Sequence, residues 1–252
     1  MKFRYKALFI FIIILTGAYL VVMNGLPDKQ TISEYQPAST INAAGLEFWD
    51  ARYEFDLRQY VMLEDISDHL HNAVIISEDD LFYQHNGVNY ELLWEALKEN
   101  LRQRDYVRGA GTITMQLARY AFLTRERSLL RKAKEIVLAK RIESVLSKDS
   151  ILELYLNCVQ WGPNLYGAEA ASWYYFDKPA GALDLNEASL LTGILINPER
   201  YNLFERLDDA KRLQRRVLRL MKDAGKITAE EMEIIHAQEV SLRGGLRVYQ
   251  GG

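Results

Sequence analysis

Ala7 to Leu26 reads ALFIFIIILTGAYLVVMNGL, twenty successive positions without a charge. A helix rises about 1.5 Å per residue, so such a run spans about 30 Å, the thickness of a bilayer's hydrocarbon core. Lys2, Arg4 and Lys6 precede it. Basic flanks stay on the cytoplasmic side of a membrane, so everything beyond Asn24 is expected outside. A cleaved signal peptide would share this orientation, but Ala18-Tyr19-Leu20 is a poor cleavage site. A buried soluble helix would not need the basic flank. The expected organisation is a basic cytoplasmic tail at 1–6, a single-pass transmembrane anchor at 7–26, a linker at 27–45 and one domain at 46–245.

Composition bounds what the exported part can be. A chain of 252 residues, 49% hydrophobic and 26% charged, can build an ordinary packed core. Its formal net charge of -3 implies no general affinity for nucleic acid, so any phosphate-binding character must come from local clustering. Cys158 is the single cysteine, which excludes an internal disulfide and fits no cysteine-based metal pattern. A lone Cys in an apolar stretch reads as a small buried residue.

Asn24 to about Ala44 is polar, contains Pro27 and Pro37, and has no helical period, as a linker would. Tyr53, Phe55 and Leu57 then alternate as on a strand, within the aromatic-rich stretch Leu46 to Leu63, although an irregular membrane-facing segment would look the same. From Ile66 the helical period takes over: Ile66, Leu70, Ala73 and Val74 share a face, with Ser67 as cap and Glu78 at the helix end. Further helices are expected at Tyr90 to Leu101, Thr112 to Phe122 and Leu129 to Leu146, and after the Ser147 cap. Trp161-Gly-Pro-Asn reads as a turn. Asp184 with Glu187, and Thr228 with Glu231, have the spacing of capping boxes, and Asp208 to Ala224 is amphipathic up to Gly225. The soluble part is expected to be one mainly α-helical domain.

The chemistry concentrates between Ser77 and Glu135. If Leu129 to Leu146 is helical from near its start, Arg131 and Lys132 stand one turn before Glu135, with Arg127 a turn earlier. That set fits a solvated face of surface ion pairs. It equally fits a diphosphate cradle, since Arg and Lys bind phosphate through charge-assisted hydrogen bonds. Spacing alone leaves both readings open. Gly109 and Gly111 let a loop approach a ligand closely, Thr112 and Thr114 supply hydroxyls, and Gln116 an amide; a plain helix entry capped by Thr112 would look the same. Two carboxylates, Glu78 and Glu135, are what glycosyl chemistry asks for, one to activate a hydroxyl and one on the opposite side of the sugar. Read from the residues alone, this is a membrane-anchored helical protein with an anion and sugar site.

Five blocks in order also resemble the peptidoglycan glycosyltransferases of family 51. Glu78-Asp79, Phe82, His85 and Gly87 are similar to the first block. Gly109, Thr112-Ile113-Thr114 and Gln116-Leu117 are similar to the second, and Arg131-Lys132 with Glu135 to the third. Lys148, Ile151-Leu152-Glu153, Tyr155-Leu156-Asn157, Gly162 and Tyr166-Gly167 resemble the fourth; Glu187 to Leu191 with Asn197-Pro198 and Tyr201 resembles the fifth. No transpeptidase domain follows, as in monofunctional members. The resemblance implies a lysozyme-like helical fold with a membrane-dipping jaw near 88–125. It implies polymerisation of lipid II into glycan strands with release of undecaprenyl diphosphate.

Carried onto this chain, Glu78 is the general base that deprotonates the acceptor hydroxyl, which attacks the anomeric carbon with inversion. Glu135, Arg127, Arg131 and Lys132 hold the diphosphate side, and Arg119 stands where the family usually has Lys. Asp79, Phe82, His85, Thr112, Thr114 and Gln116 shape the substrate site. No metal ligand set is implied and no cofactor is required, although a divalent cation bridging acid to diphosphate is chemically compatible. The implied partners are lipid II, the growing strand, the membrane, and penicillin-binding, divisome or elongation proteins, with no nucleic acid. The implied place is the cell (inner) membrane, catalytic domain on the periplasmic or outer face. Ala110, Gly111, Met115 and Tyr120 depart from the family's usual Gly, Ser, Gln and Asn. They suggest altered donor handling or weaker sensitivity to phosphoglycolipid inhibitors. A catalytically silent lipid II-binding homologue, motivated by that changed block, and a lysozyme-like hydrolase, which would need no cationic cradle, are the competing readings.

Overall fold

The computed structural model describes residues 2–35, 60–103, 111–124, 126 and 128–244, and of 2–12, 97, 100 and 101 the backbone alone. The expected strand at Tyr53 to Leu57, the loop residues Gly109 and Ala110, and Arg127 lie outside the described residues. The chain is mainly α-helical, as its periodicity predicts.

Helix α1, Lys2–Met23, covers the apolar run except for its last three residues, Asn24, Gly25 and Leu26. Among the described residues no helix is long and apolar enough to cross a membrane. Asp28 then caps a short helix α2, Lys29–Ser33, by accepting from Thr31 N at 2.8 Å. This part of the expected linker is not loose, because Ile32 is 1% exposed and joins the main core. Neither the polar composition nor the lack of periodicity in this stretch signals one buried isoleucine in one turn of helix.

Four of the domain's helices begin at side-chain caps, of which Ser67, Thr112 and Ser147 stand where the sequence suggests them. Ser67 caps α3, Asp68–Glu78; Thr112 caps α5, Ile113–Phe122; Ser128 caps α6, Leu129–Glu143; Ser147 caps α7, Lys148–Cys158. Each cap's hydroxyl accepts from a backbone N–H two or three residues on, satisfying a donor the helix itself leaves unpaired. Between them lies α4, Tyr90–Gln103. The expected turn at Trp161 is the start of a small antiparallel hairpin, β1 Gln160–Gly162 and β2 Leu165–Tyr166, turning at Pro163 and Asn164. It leads into α8, Ala168–Phe176.

Both capping boxes form, opening α9, Leu185–Ile194, and α11, Ala229–Ala237. Helix α9 is buried from Asn186 to Ile194 between α3 and α10, Leu207–Asp223. Helix α5 packs on α6 and α7. Tyr155, Trp161 and Tyr175 are the largest fully buried side chains of the core. These packings bring the end of α3, the start of α5 and one flank of α6 together.

Candidate active site

Glu78 is the last residue of α3 and is half-buried. Gln116, one turn into α5, donates Nε2 to Glu78 Oε2 at 2.8 Å, and Tyr155 of α7 donates its hydroxyl to Gln116 Oε1 at 3.3 Å. This chain fixes the amide's orientation, so its N–H rather than its carbonyl faces the carboxylate. Burial raises the Glu78 carboxyl above its ordinary range, with the neighbouring Asp79 adding to the rise. Gln116, Arg216 of α10 and Arg119 of α5 oppose it by favouring the charged form. A carboxylate made more basic by burial and oriented by one hydrogen bond suits proton abstraction.

Asp79, 4% exposed, ties the ends of α3 and α5 together. Its oxygens accept from Ile113 N at 3.0 Å and lie 2.9 and 3.0 Å from His85 Nε2. Burial raises its carboxyl as well, against the pull of His85 and Ile113 N. Phe82 is fully buried beneath Lys148, whose Nζ stands 4.4 Å from the ring centroid. Thr112 donates its hydroxyl to Gly87 O at 2.6 Å, and Thr114 donates to Glu143 at 2.7 Å, a carboxylate also held by Lys148 at 2.6 Å. Asp79, Phe82, His85, Thr112 and Thr114 thus form the wall behind the site, and Gln116 reaches its surface.

The second carboxylate sits on α6. Glu135 is 2% exposed, with Arg131 Nη1 on Oε1 and Lys132 Nζ 3.1 Å from Oε2. The i, i+4 and i, i+3 spacings therefore form as expected. A carboxylate this deeply buried and doubly paired is not a solvated surface pair. Burial and the guanidiniums of Arg119 and Arg131 lower the Lys132 ammonium to about 8, while Glu135 pulls the other way. The charge of Arg119 acts on both Glu78 and Lys132, and its guanidinium covers the Tyr120 ring at 4.9 Å. Gly111 faces the same space: a Cβ there would lie 3.7 Å from Lys132 Nζ, an ordinary contact. Met115 points elsewhere, 2% exposed against Val88 and Ala139.

Sequence reasoning missed Arg216 and the Thr114–Glu143–Lys148 network. Arg216 reaches Glu78 only because α10 packs on α3, and no local pattern announces that. Among the described residues no group of three or more His, Cys, Asp or Glu side chains could hold a metal ion.

Comparison with known proteins places the chain in a family. A family model described as "Transglycosylase" matches residues 50–222. Penicillin-binding protein 1A of Aquifex aeolicus (strain VF5) is 37% identical over 218 residues, covering 84% of this chain and 29% of that protein. Penicillin-binding protein 1A of Escherichia coli (strain K12) is 36% identical over 228 residues, covering 89% of this chain and 27% of that protein. A biosynthetic peptidoglycan transglycosylase of Acinetobacter baylyi is 38% identical over 165 residues, covering 66% of this chain and 74% of that protein. The chain thus spans less than a third of the two penicillin-binding relatives and about three quarters of the transglycosylase.

Proposed function

The chain belongs to the transglycosylase family, and from that premise we propose that it is a peptidoglycan glycosyltransferase polymerising lipid II into glycan strands. The observation that carries the reading is the pair of unlike carboxylates. Glu78 is made basic by burial and aimed by Gln116, while Glu135 is buried against two cations, and the charge of a third, Arg119, acts on both Glu78 and Lys132. An acid pair acting on neutral glycosidic bonds would not call for that cationic flank.

Glu78 takes the proton from the acceptor's sugar hydroxyl as that oxygen attacks the anomeric carbon of the growing strand. The bond from that carbon to the diphosphate oxygen breaks, with inversion, and the electron pair leaves with undecaprenyl diphosphate. Arg131, Lys132 and Arg119, joined by Arg127, receive the developing charge, and Glu135 holds the first two in place. These cations do the electrostatic work for which a divalent cation would otherwise serve, so no cofactor is required. The silent-homologue reading is not favoured, because both carboxylates keep their partners.

We place the protein at the cell membrane with α1 as its single-pass anchor and the domain on the outer or periplasmic face. Support comes from the uncharged run at 7–26 with its basic flank, and from Ile13, Ile14, Leu15, Tyr19, Leu20 and Val21, each more than half exposed on α1. The lysozyme-like fold and the membrane-dipping jaw near 88–125 belong to the same proposal. Exposed Tyr90 and Trp94 on α4, with Lys140 and Lys98 over their rings, have the amphipathic character of membrane-interface side chains. The stereochemistry tests the reading. By NMR, polymer made from lipid II is expected to carry linkages of the anomeric configuration opposite to that of the substrate's bond to diphosphate; a retained configuration would exclude direct displacement.

A further inference from the structure

The flank of α6 beside the Arg131–Lys132–Glu135 cluster meets the end of α1. Lys134 and Arg141 stand seven residues apart on α6, two turns along one face. Lys134 Nζ donates to the carbonyl of Asn24, the first residue past α1, at 2.8 Å. Arg141 Nη1 donates to the carbonyl of Pro27, and its Nη2 lies 4.0 Å from Met23 Sδ. The last carbonyls of a helix lack intrahelical partners and form the negative end of its dipole, so cations are the side chains that hold them best. Gly25, at φ +71°, turns the chain there. The segment then stays on the domain: Ile32 enters the core, and the Tyr35 ring lies 4.8 Å from that of Phe122 at the end of α5. From Met23 to Tyr35 no free span separates α1 from the helices that carry the site.

We propose that Lys134 and Arg141 are positioning residues: they latch the outer end of α1 to α6 and so set the height and tilt at which Arg131, Lys132 and Glu135 meet a lipid-linked diphosphate. The inference rests on the anchor and substrate assigned above. A diphosphate on a membrane-embedded carrier is confined to headgroup depth, so its cationic receptor must be held at that depth. A flexible connection would spread the receptor over many heights. A rigid one holds the reacting groups in line before substrate arrives. Because Lys134 adjoins Glu135 on the same helix, α6 itself transmits the constraint.

The test uses the full chain in phosphatidylglycerol–phosphatidylethanolamine vesicles, comparing wild type, Lys134→Ala/Arg141→Ala and the charge-keeping Lys134→Arg/Arg141→Lys. A fluorophore on Leu129→Cys, at a position 92% exposed while Cys158 is buried, reports depth through quenching by lipids brominated at known positions. Wild type and the charge-keeping variant are expected to give one sharp depth, and the alanine variant a shifted or broadened one. Polymerisation of vesicle-embedded lipid II should fall about tenfold or more in the alanine variant, as small misplacements of reacting groups cost. Activity on a short-chain, water-soluble analogue should stay near wild type, with equal unfolding temperatures. An unchanged depth profile, or equal loss on both substrates, would overturn the latch. Wild type inactive on both substrates would sink the transferase reading, and the depth measurement would still decide the latch. Should the double variant not fold, Lys134→Met alone is read in the same two ways.

Discussion

Replacing Gly87 by Ala tests how the loop that follows α3 closes against α6. Gly87 sits at φ +78°, a conformation that costs an L-residue about 1–2 kcal/mol. A Cβ there would lie 2.7 Å from Ala139 O, 2.9 Å from Ala139 C and 2.9 Å from Glu143 Cγ. The first two are backbone of a packed helix and cannot swing aside, so overpacking adds about 1–3 kcal/mol. The total is about 2–5 kcal/mol. At about 2–4 °C per kcal/mol for a domain of this size, Tm falls by about 4–20 °C. The assay is thermal unfolding in detergent followed by far-UV circular dichroism, beside Gly225→Ala. Gly225 has a similar φ of +71° but nothing within 4 Å of its Cβ position, so it carries the conformational cost alone. The closing Thr112–Gly87 hydrogen bond should be lost with the contact, so activity falls more than stability. A Gly87→Ala loss no larger than that of Gly225→Ala would refute the close-approach argument.

Three further outcomes follow from the site. Gln116 favours the charged form of Glu78, so Gln116→Leu raises that carboxyl further and moves the acid limb of the kcat/KM profile to higher pH; an unmoved limb would separate Gln116 from the base. With Lys132 lowered to about 8, its charge is lost as pH rises through that value, so donor KM should climb there, and Lys132→Arg should abolish the climb; a wild-type KM flat through that pH would remove Lys132 from diphosphate binding. Gly111→Ser has room and places a hydroxyl beside Lys132, so it should change donor KM with Tm kept, whereas Met115→Gln buries an amide against Val88 and Ala139 and costs about 1–3 kcal/mol without touching the site. An unchanged donor KM in Gly111→Ser would count against altered donor handling, and an unchanged Tm in Met115→Gln against the burial of that side chain.

Local signals in the sequence were strong where one residue decides one bond. Ser67, Thr112, Ser147, Asp184 and Thr228 each cap the helix their spacing predicts, because a cap needs only its own neighbours. The Arg131, Lys132 and Glu135 contacts were legible for the same reason, being one turn apart. What lay hidden depends on which helix meets which. Arg216 acts on Glu78 only across the α3–α10 packing, and Thr114 finds Glu143 and Lys148 only where α5, α6 and α7 converge. Ile32 was invisible because a single apolar residue in a polar stretch carries no periodicity. The departure at Met115 looked chemical in the sequence and is steric in the structure, since that side chain faces Val88 rather than the carboxylates.

The central claim is that Glu78 is the base of a glycan-polymerising site. The direct measurement incubates the detergent-solubilised full chain with labelled lipid II and resolves product size on a gel, wild type beside Glu78→Gln. Wild type is expected to make long polymer and Glu78→Gln none, with both proteins folded and both binding lipid II. Polymer from the variant at a wild-type rate would contradict Glu78 as base, and bound but unpolymerised lipid II with wild type would contradict the transferase itself.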